Sequence, residues 1–169
     1  VAQGTGRAVV TATGMDTRPP QVLVAGVRYV LNSVCDAGAV ELLVGEHDAV
    51  AHLACIVGYA HVMADIEGSV YTTTVGTSTI TRACMRHGTR LLFTSTSAVY
   101  GHGMDRRDFG ARETDPLKLG PTTTPSWAYA YAKAAAECQV LAAYRERQLP
   151  ATVMRLFNVV GPGQSAQAR

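Results

Sequence analysis

The sequence predicts an open, doubly wound α/β fold with a parallel sheet. Two observations carry that prediction: short β-branched runs alternate with longer helical stretches, and one strand-like run, at 48–55, is nearly continuous in apolar residues. A third is size: 169 residues, 47% hydrophobic and 17% charged, are enough for one buried core without staples.

The elements follow in order. Val27–Leu31 (VRYVL) reads as a strand and residues 38–46 as a short helix. Residues 48–55 (DAVAHLAC) form an apolar run expected of a strand covered on both faces. Ile66–His87 has helical character, weakened by the β-branched cluster at 71–75, and Gly88 supplies a C-terminal stop. Residues 90–97 (RLLFTSTS) read as a further strand. The Gly- and Pro-containing segment 101–125 is too long for an ordinary connection, a length that goes with function or mobility. Ser126 is the expected N-cap of an Ala-rich helix running to about residue 148, and residues 151–160 close the series as a strand.

Bulk properties exclude several classes. The formal net charge is +2, and acids interrupt both basic clusters, at 105–108 and 145–147, so there is no nucleic-acid or membrane footprint. No apolar run approaches the ~18 residues of a membrane helix, and no signal-peptide pattern opens the chain. Cys35, Cys55, Cys84 and Cys138 lie far apart without metal-ligand spacing, which predicts no metal site and buried, reduced thiols in a cytoplasmic protein.

The candidate chemistry is a helical pair. Tyr129 and Lys133 stand four apart and share a helix face. A neighbouring ammonium favours the phenolate of a tyrosine whose free pKa is about 10, making it a usable acid/base. Y-x-x-x-K alone is common, and by itself it reads first as an exposed tyrosine beside a solvated lysine. Context narrows the choice. The preceding strand ends in hydroxyls (TSTS, 94–97) and the following one in RLFNVVGPG (155–163), so three segments converge at the sheet edge where open α/β folds bind ligands.

The ordered set HDAVAHLA (47–54), VGT (75–77), FTSTSAVYG (93–101), YAYAK (129–133) and RLFNVVGPGQ (155–164) resembles the extended short-chain dehydrogenase/reductases, within them the nucleotide-sugar epimerase/dehydratase group. The resemblance covers roughly residues 16–164 and implies a Rossmann-like domain that binds NAD(P). It implies Tyr129 as catalytic acid/base, Lys133 as the residue lowering its pKa and holding the nicotinamide ribose, and Thr96 as the hydroxyl partner of the reacting carbinol. Leu53 and Ala54 fall where the backbone follows the cofactor, with Phe157 near the nicotinamide and Asn158 near the substrate diphosphate. Tyr131 competes for the catalytic role but stands only two residues from Lys133, on another helix face.

At the two positions after Thr96 the related 4,6-dehydratases carry Asp-Glu, and related decarboxylases a Glu at the second. Here Ser97 and Ala98 stand there as substrate-side residues without a carboxylate. The resemblance therefore implies an NAD-dependent nucleotide-sugar epimerase that transiently oxidises a sugar hydroxyl, with C4 the expected carbon. A ketoreductase or dehydrogenase of the same family, or a non-catalytic nucleotide-binding relative, is the alternative. A homodimer through the helices at 66–87 and 126–148 is expected.

Asp16 is the candidate for the adenosine ribose hydroxyls, favouring NAD; it also reads as a loop Asp starting a turn before Pro19 and Pro20, and Arg18 leaves NADP open. Gly4 and Gly6 stand where the phosphate-binding turn would be. Asp16 follows Gly6 by ten residues where the fingerprint has about twenty, so residues 1–169 are expected to lack part of the first βα unit, together with the C-terminal substrate domain. Ser33 replaces an Asp that often contacts adenine, and Thr73 a frequent Asn.

Overall fold

The computed structural model describes residues 11–102 and 110–161, in two compact units divided after Ser33. The expected α/β architecture with parallel strands is present. In the first unit, β1 (Ala12–Asp16) pairs in parallel with β2 (Val27–Leu31), Ala12 opposite Val27 and Asp16 opposite Leu31. Gly4 and Gly6 lie outside the described residues.

The second unit holds a parallel three-stranded sheet in the order β3 (Ala49–His52), β4 (Arg90–Thr96), β5 (Ala151–Leu156). Between β3 and β4 run α2 (Tyr59–Ala64) and α3 (Ile66–His87); between β4 and β5 runs α4 (Ala128–Arg147). Helix α1 (Ala37–Gly45) leads into β3 and packs on α3, which packs on α4. The core lies where α3 and α4 meet the sheet: Ile80, Ala83, Cys84, Leu91, Phe93, Ala136 and Val140 are buried.

Helix α3 occupies the expected residues despite its β-branched cluster. Its threonines turn their liability into bonds: the hydroxyls of Thr73, Thr74 and Thr79 donate to the carbonyls of Ser69, Val70 and Val75, four residues back. Asp65 caps the start by accepting from the Gly68 amide at 2.9 Å, and Gly88 closes the end in the left-handed region at φ 68°. Within the VGT motif, Gly76 is the close-approach residue: a Cβ there would lie 2.6 Å from Val34 Cγ2.

Four expectations are corrected. Ser126 is not a helix N-cap; it sits inside a 3-10 turn (Pro125–Trp127) that feeds α4, whose N-cap is Trp127 with no side-chain capping bond. Proline at 125, fixing φ, starts that turn one residue earlier. The last strand stops at Leu156 rather than 160, and β3 at His52 rather than 55. The short helix α2 was not anticipated, because six residues give no helical period. Finally, no disulfide joins the four cysteines, but only Cys84 is buried, Cys138 being exposed and Cys35 and Cys55 intermediate.

Candidate active site

The carboxyl end of β4 organises the site. Parallel pairing fixes three successive residues there: Thr94 opposite Met154, Ser95 opposite Arg155 and Thr96 opposite Leu156. Each does a different task. Thr94 donates through its hydroxyl to the His52 carbonyl at 3.0 Å, and its own carbonyl accepts from Lys133 Nζ at 2.8 Å. Ser95 turns its hydroxyl to the Glu137 carboxylate. Thr96 accepts from the Ala98 amide at 3.2 Å, capping the 3-10 turn Ser97–Tyr100 and leaving its own O–H to donate elsewhere.

Helix α4 brings Tyr129 and Lys133 to this strand end. Lys133 is buried, its ammonium 5.0 Å from the centre of the Phe93 ring. Burial lowers its pKa, while the Cys55 thiol and the Glu137 carboxylate pull it back up. Tyr129 is half-buried, and its phenol is pushed up to about 12, chiefly by burial, with a contribution from Cys55; a hydrogen bond with Thr96 acts the other way. The structure thus brings Thr96, Tyr129 and Lys133 together, as expected. It differs on what governs the phenol: the ammonium is directed to the Thr94 carbonyl, and burial outweighs any charge effect on Tyr129.

Tyr131 has another occupation. Its hydroxyl donates to the Gly120 carbonyl at 2.8 Å, tying α4 to the segment before it. Leu53 and Phe157, 66% and 56% exposed, follow the ends of β3 and β5 and so stand on either side of the β4 end. The Phe157 ring lies 6.4 Å from that of Tyr100. Ala54 follows Leu53, Ser97 and Ala98 begin the 3-10 turn after Thr96, and Asn158 is exposed beyond β5. Asp16, in the other unit, ends β1 and accepts from the Arg18 amide at 2.9 Å, so strand end and turn coincide there.

Four contributors were not anticipated. Cys55 lies 3.1 Å from the Thr73 hydroxyl and beside the Lys133 ammonium. His52 is buried, bonded to Thr77 Oγ1 at 3.0 Å through Nε2 while Nδ1 has no partner, and its pKa is lowered to about 4 by burial and by Lys133. Glu137 and Arg155 form a pair at 2.7 Å, buried on the Glu137 side, in which Arg155 engages both carboxylate oxygens. A glutamate four residues after Lys133 in an otherwise Ala-rich, buried face was the available signal. Among the described residues no cluster of His, Cys, Asp or Glu is suited to a metal ion, and no helix is long and apolar enough to cross a membrane.

The family model of the NAD dependent epimerase/dehydratase family matches residues 3–169. The UDP-N-acetyl-alpha-D-glucosaminuronate decarboxylase of Bacillus cytotoxicus is 35% identical over 130 residues, 77% of this chain and 39% of the relative. The dTDP-glucose 4,6-dehydratase of Mycolicibacterium smegmatis is 35% identical over 143 residues, 83% of this chain and 41% of the relative. The chain thus spans about two fifths of the length of these curated relatives. Among solved structures, the UDP-glucose 4-epimerase of Thermus thermophilus in complex with NAD gives a TM-score of 0.71 at 27% identity, covering 85% of this chain and 45% of that one.

Proposed function

The chain belongs to the NAD dependent epimerase/dehydratase family, and from that premise we propose that the protein is an NAD-dependent nucleotide-sugar epimerase whose acid/base is Tyr129. The observation that carries this reading is the meeting of Tyr129, Thr96 and Lys133 at the end of β4. The donor set suits a dinucleotide. A buried ammonium held by the Thr94 carbonyl and the Cys55 sulfur keeps one N–H for a ribose hydroxyl, and exposed Leu53 and Phe157 offer apolar walls on either side. When bound, the nicotinamide would take up and return the hydride of a carbinol carbon. Asp16 is the proposed partner of the adenosine ribose, and Gly4 and Gly6 of the phosphates.

Thr96 holds the sugar hydroxyl by hydrogen bond, and the Tyr129 phenolate takes its proton as the carbonyl forms. The same phenol returns the proton when the carbonyl is reduced from its other face. Lys133 keeps α4 against β4 through the Thr94 carbonyl. Because burial holds the phenol high, oxidation quickens as pH rises: more of Tyr129 is deprotonated at every step toward its folded pKa.

Epimerisation is favoured over 4,6-dehydration by a specific observation. Ser97 and Ala98 offer no carboxylate, and Glu137 is committed to Ser95 and Arg155. A 4,6-dehydratase, the activity named for several relatives, is the second reading. The whole protein is further proposed to be cytoplasmic and to dimerise through α3 and α4, which expose Tyr71, Leu141 and Tyr144. UDP-, GDP- and dTDP-sugars offered to the whole protein, with C4 followed by NMR, test the function. Inversion at C4 is expected; a 4-keto-6-deoxy product would replace this reading with the dehydratase one.

A further inference from the structure

The segment after residue 110 is joined to β5 by a side chain that the chemistry at Tyr129 does not use. Arg112 and Asp115 close a turn: the Arg112 amide donates to Asp115 Oδ2 at 2.7 Å, and the Asp115 amide to the Arg112 carbonyl at 3.0 Å. That turn presents the carbonyl of Glu113, which accepts from Arg155 Nη1 at 3.2 Å. Downstream, the segment bridges to Gly101 at Lys118, whose carbonyl also accepts from the His102 amide at 3.0 Å. Gly101 permits that approach, since a Cβ there would collide with the Lys118 carbonyl.

The other nitrogens of Arg155 are spent on Glu137, and its guanidinium lies 4.7 Å from the centre of the Tyr100 ring. Glu137 in turn takes the Ser95 hydroxyl and stands one helical turn after Lys133. Ser95 lies between Thr94, which holds Lys133, and Thr96, which partners Tyr129. A planar fork can serve a carboxylate, a carbonyl and an aromatic face at once; an ammonium cannot.

We propose that Arg155 and Glu137 are positioning residues that latch residues 110–118 to the end of β4, so that this segment and the Tyr129–Lys133 centre are set by a single ion pair. The latch itself is independent of the function proposed above; only the kinetic consequence rests on it. Hydrogen exchange of the whole protein with NAD present reads the latch directly. Arg155→Met should speed exchange at 110–118 by about tenfold or more, the loss of a charge-assisted hydrogen bond, while α1 and the exposed end of α3 exchange as before. Arg155→Lys should restore the ion pair without restoring protection at 110–118. Equal rates in wild type and Arg155→Met, or an acceleration spread evenly over the second unit, overturns the proposal.

The kinetic arm uses whichever nucleotide sugar of the panel the wild type turns over. Arg155→Lys should raise KM for the sugar about tenfold with kcat and NAD affinity nearly unchanged; a fall in kcat alone contradicts the latch. If no sugar is turned over by wild type, the functional reading fails while hydrogen exchange still decides the latch.

Discussion

Two carboxylates in the second unit are each gripped by an arginine, and they serve opposite purposes. Glu41 on α1 meets Arg86 and His87 on α3 in the open, with Arg86 more than half exposed. Its pKa falls to about 2, chiefly through the Arg86 hydrogen bond, and water screens the pair. Glu137 on α4 meets Arg155 and Ser95 under cover, its side chain 5% exposed. Desolvation makes that pair costly to break from the Arg155 side, since the Glu137 carboxylate alone would be a buried, uncompensated charge. The exposed cluster joins two helices at the surface; the buried one ties α4 to the ends of β4 and β5.

That contrast can be broken or sharpened in descending steps. At the top stands Tyr129→Phe, which removes the proton acceptor without disturbing the buried pair: turnover should fall about 100- to 10,000-fold, with the melting temperature nearly unchanged. Arg155→Ala strands the buried Glu137 carboxylate and should cost about 3 to 5 kcal/mol in denaturant unfolding, whereas Glu41→Ala should be the mildest change of the set and vanish in high salt.

Between these lies His52. Its folded pKa, about 4, is below the ordinary 6.5, so the unfolded chain binds the proton first. Stability is therefore full above pH 6.5 and falls as pH drops through the window to 4, by about 3 kcal/mol in total. A chemical-denaturation series across that window checks it, and His52→Gln, which can still bond Thr77, should flatten the curve.

The same contrast explains what was legible in the sequence. Tyr129, Lys133 and Thr96 could be placed because helical spacing and a strand end are local patterns. Helix α3 could be placed to the residue, since Gly88 marks its stop. Glu137 and Arg155 are 18 residues apart, and their meeting depends on the packing of α4 against β4 and β5, which no local pattern encodes. The N-cap at Ser126 failed for the converse reason: a good capping residue was present, but Pro125 had already begun the turn. Likewise, Lys133 was expected to dominate the Tyr129 phenol, and burial, a tertiary quantity, outweighs it.

The central claim is that Tyr129 accepts a proton from a nucleotide-sugar hydroxyl. Single-turnover absorbance of reduced nicotinamide, recorded on the whole protein with NAD and the sugar it accepts, measures this directly. The wild type should form the reduced cofactor faster as pH rises, and Tyr129→Phe should bind NAD equally well yet form it at least about 100-fold more slowly. Equal rates in the two proteins would contradict the assignment.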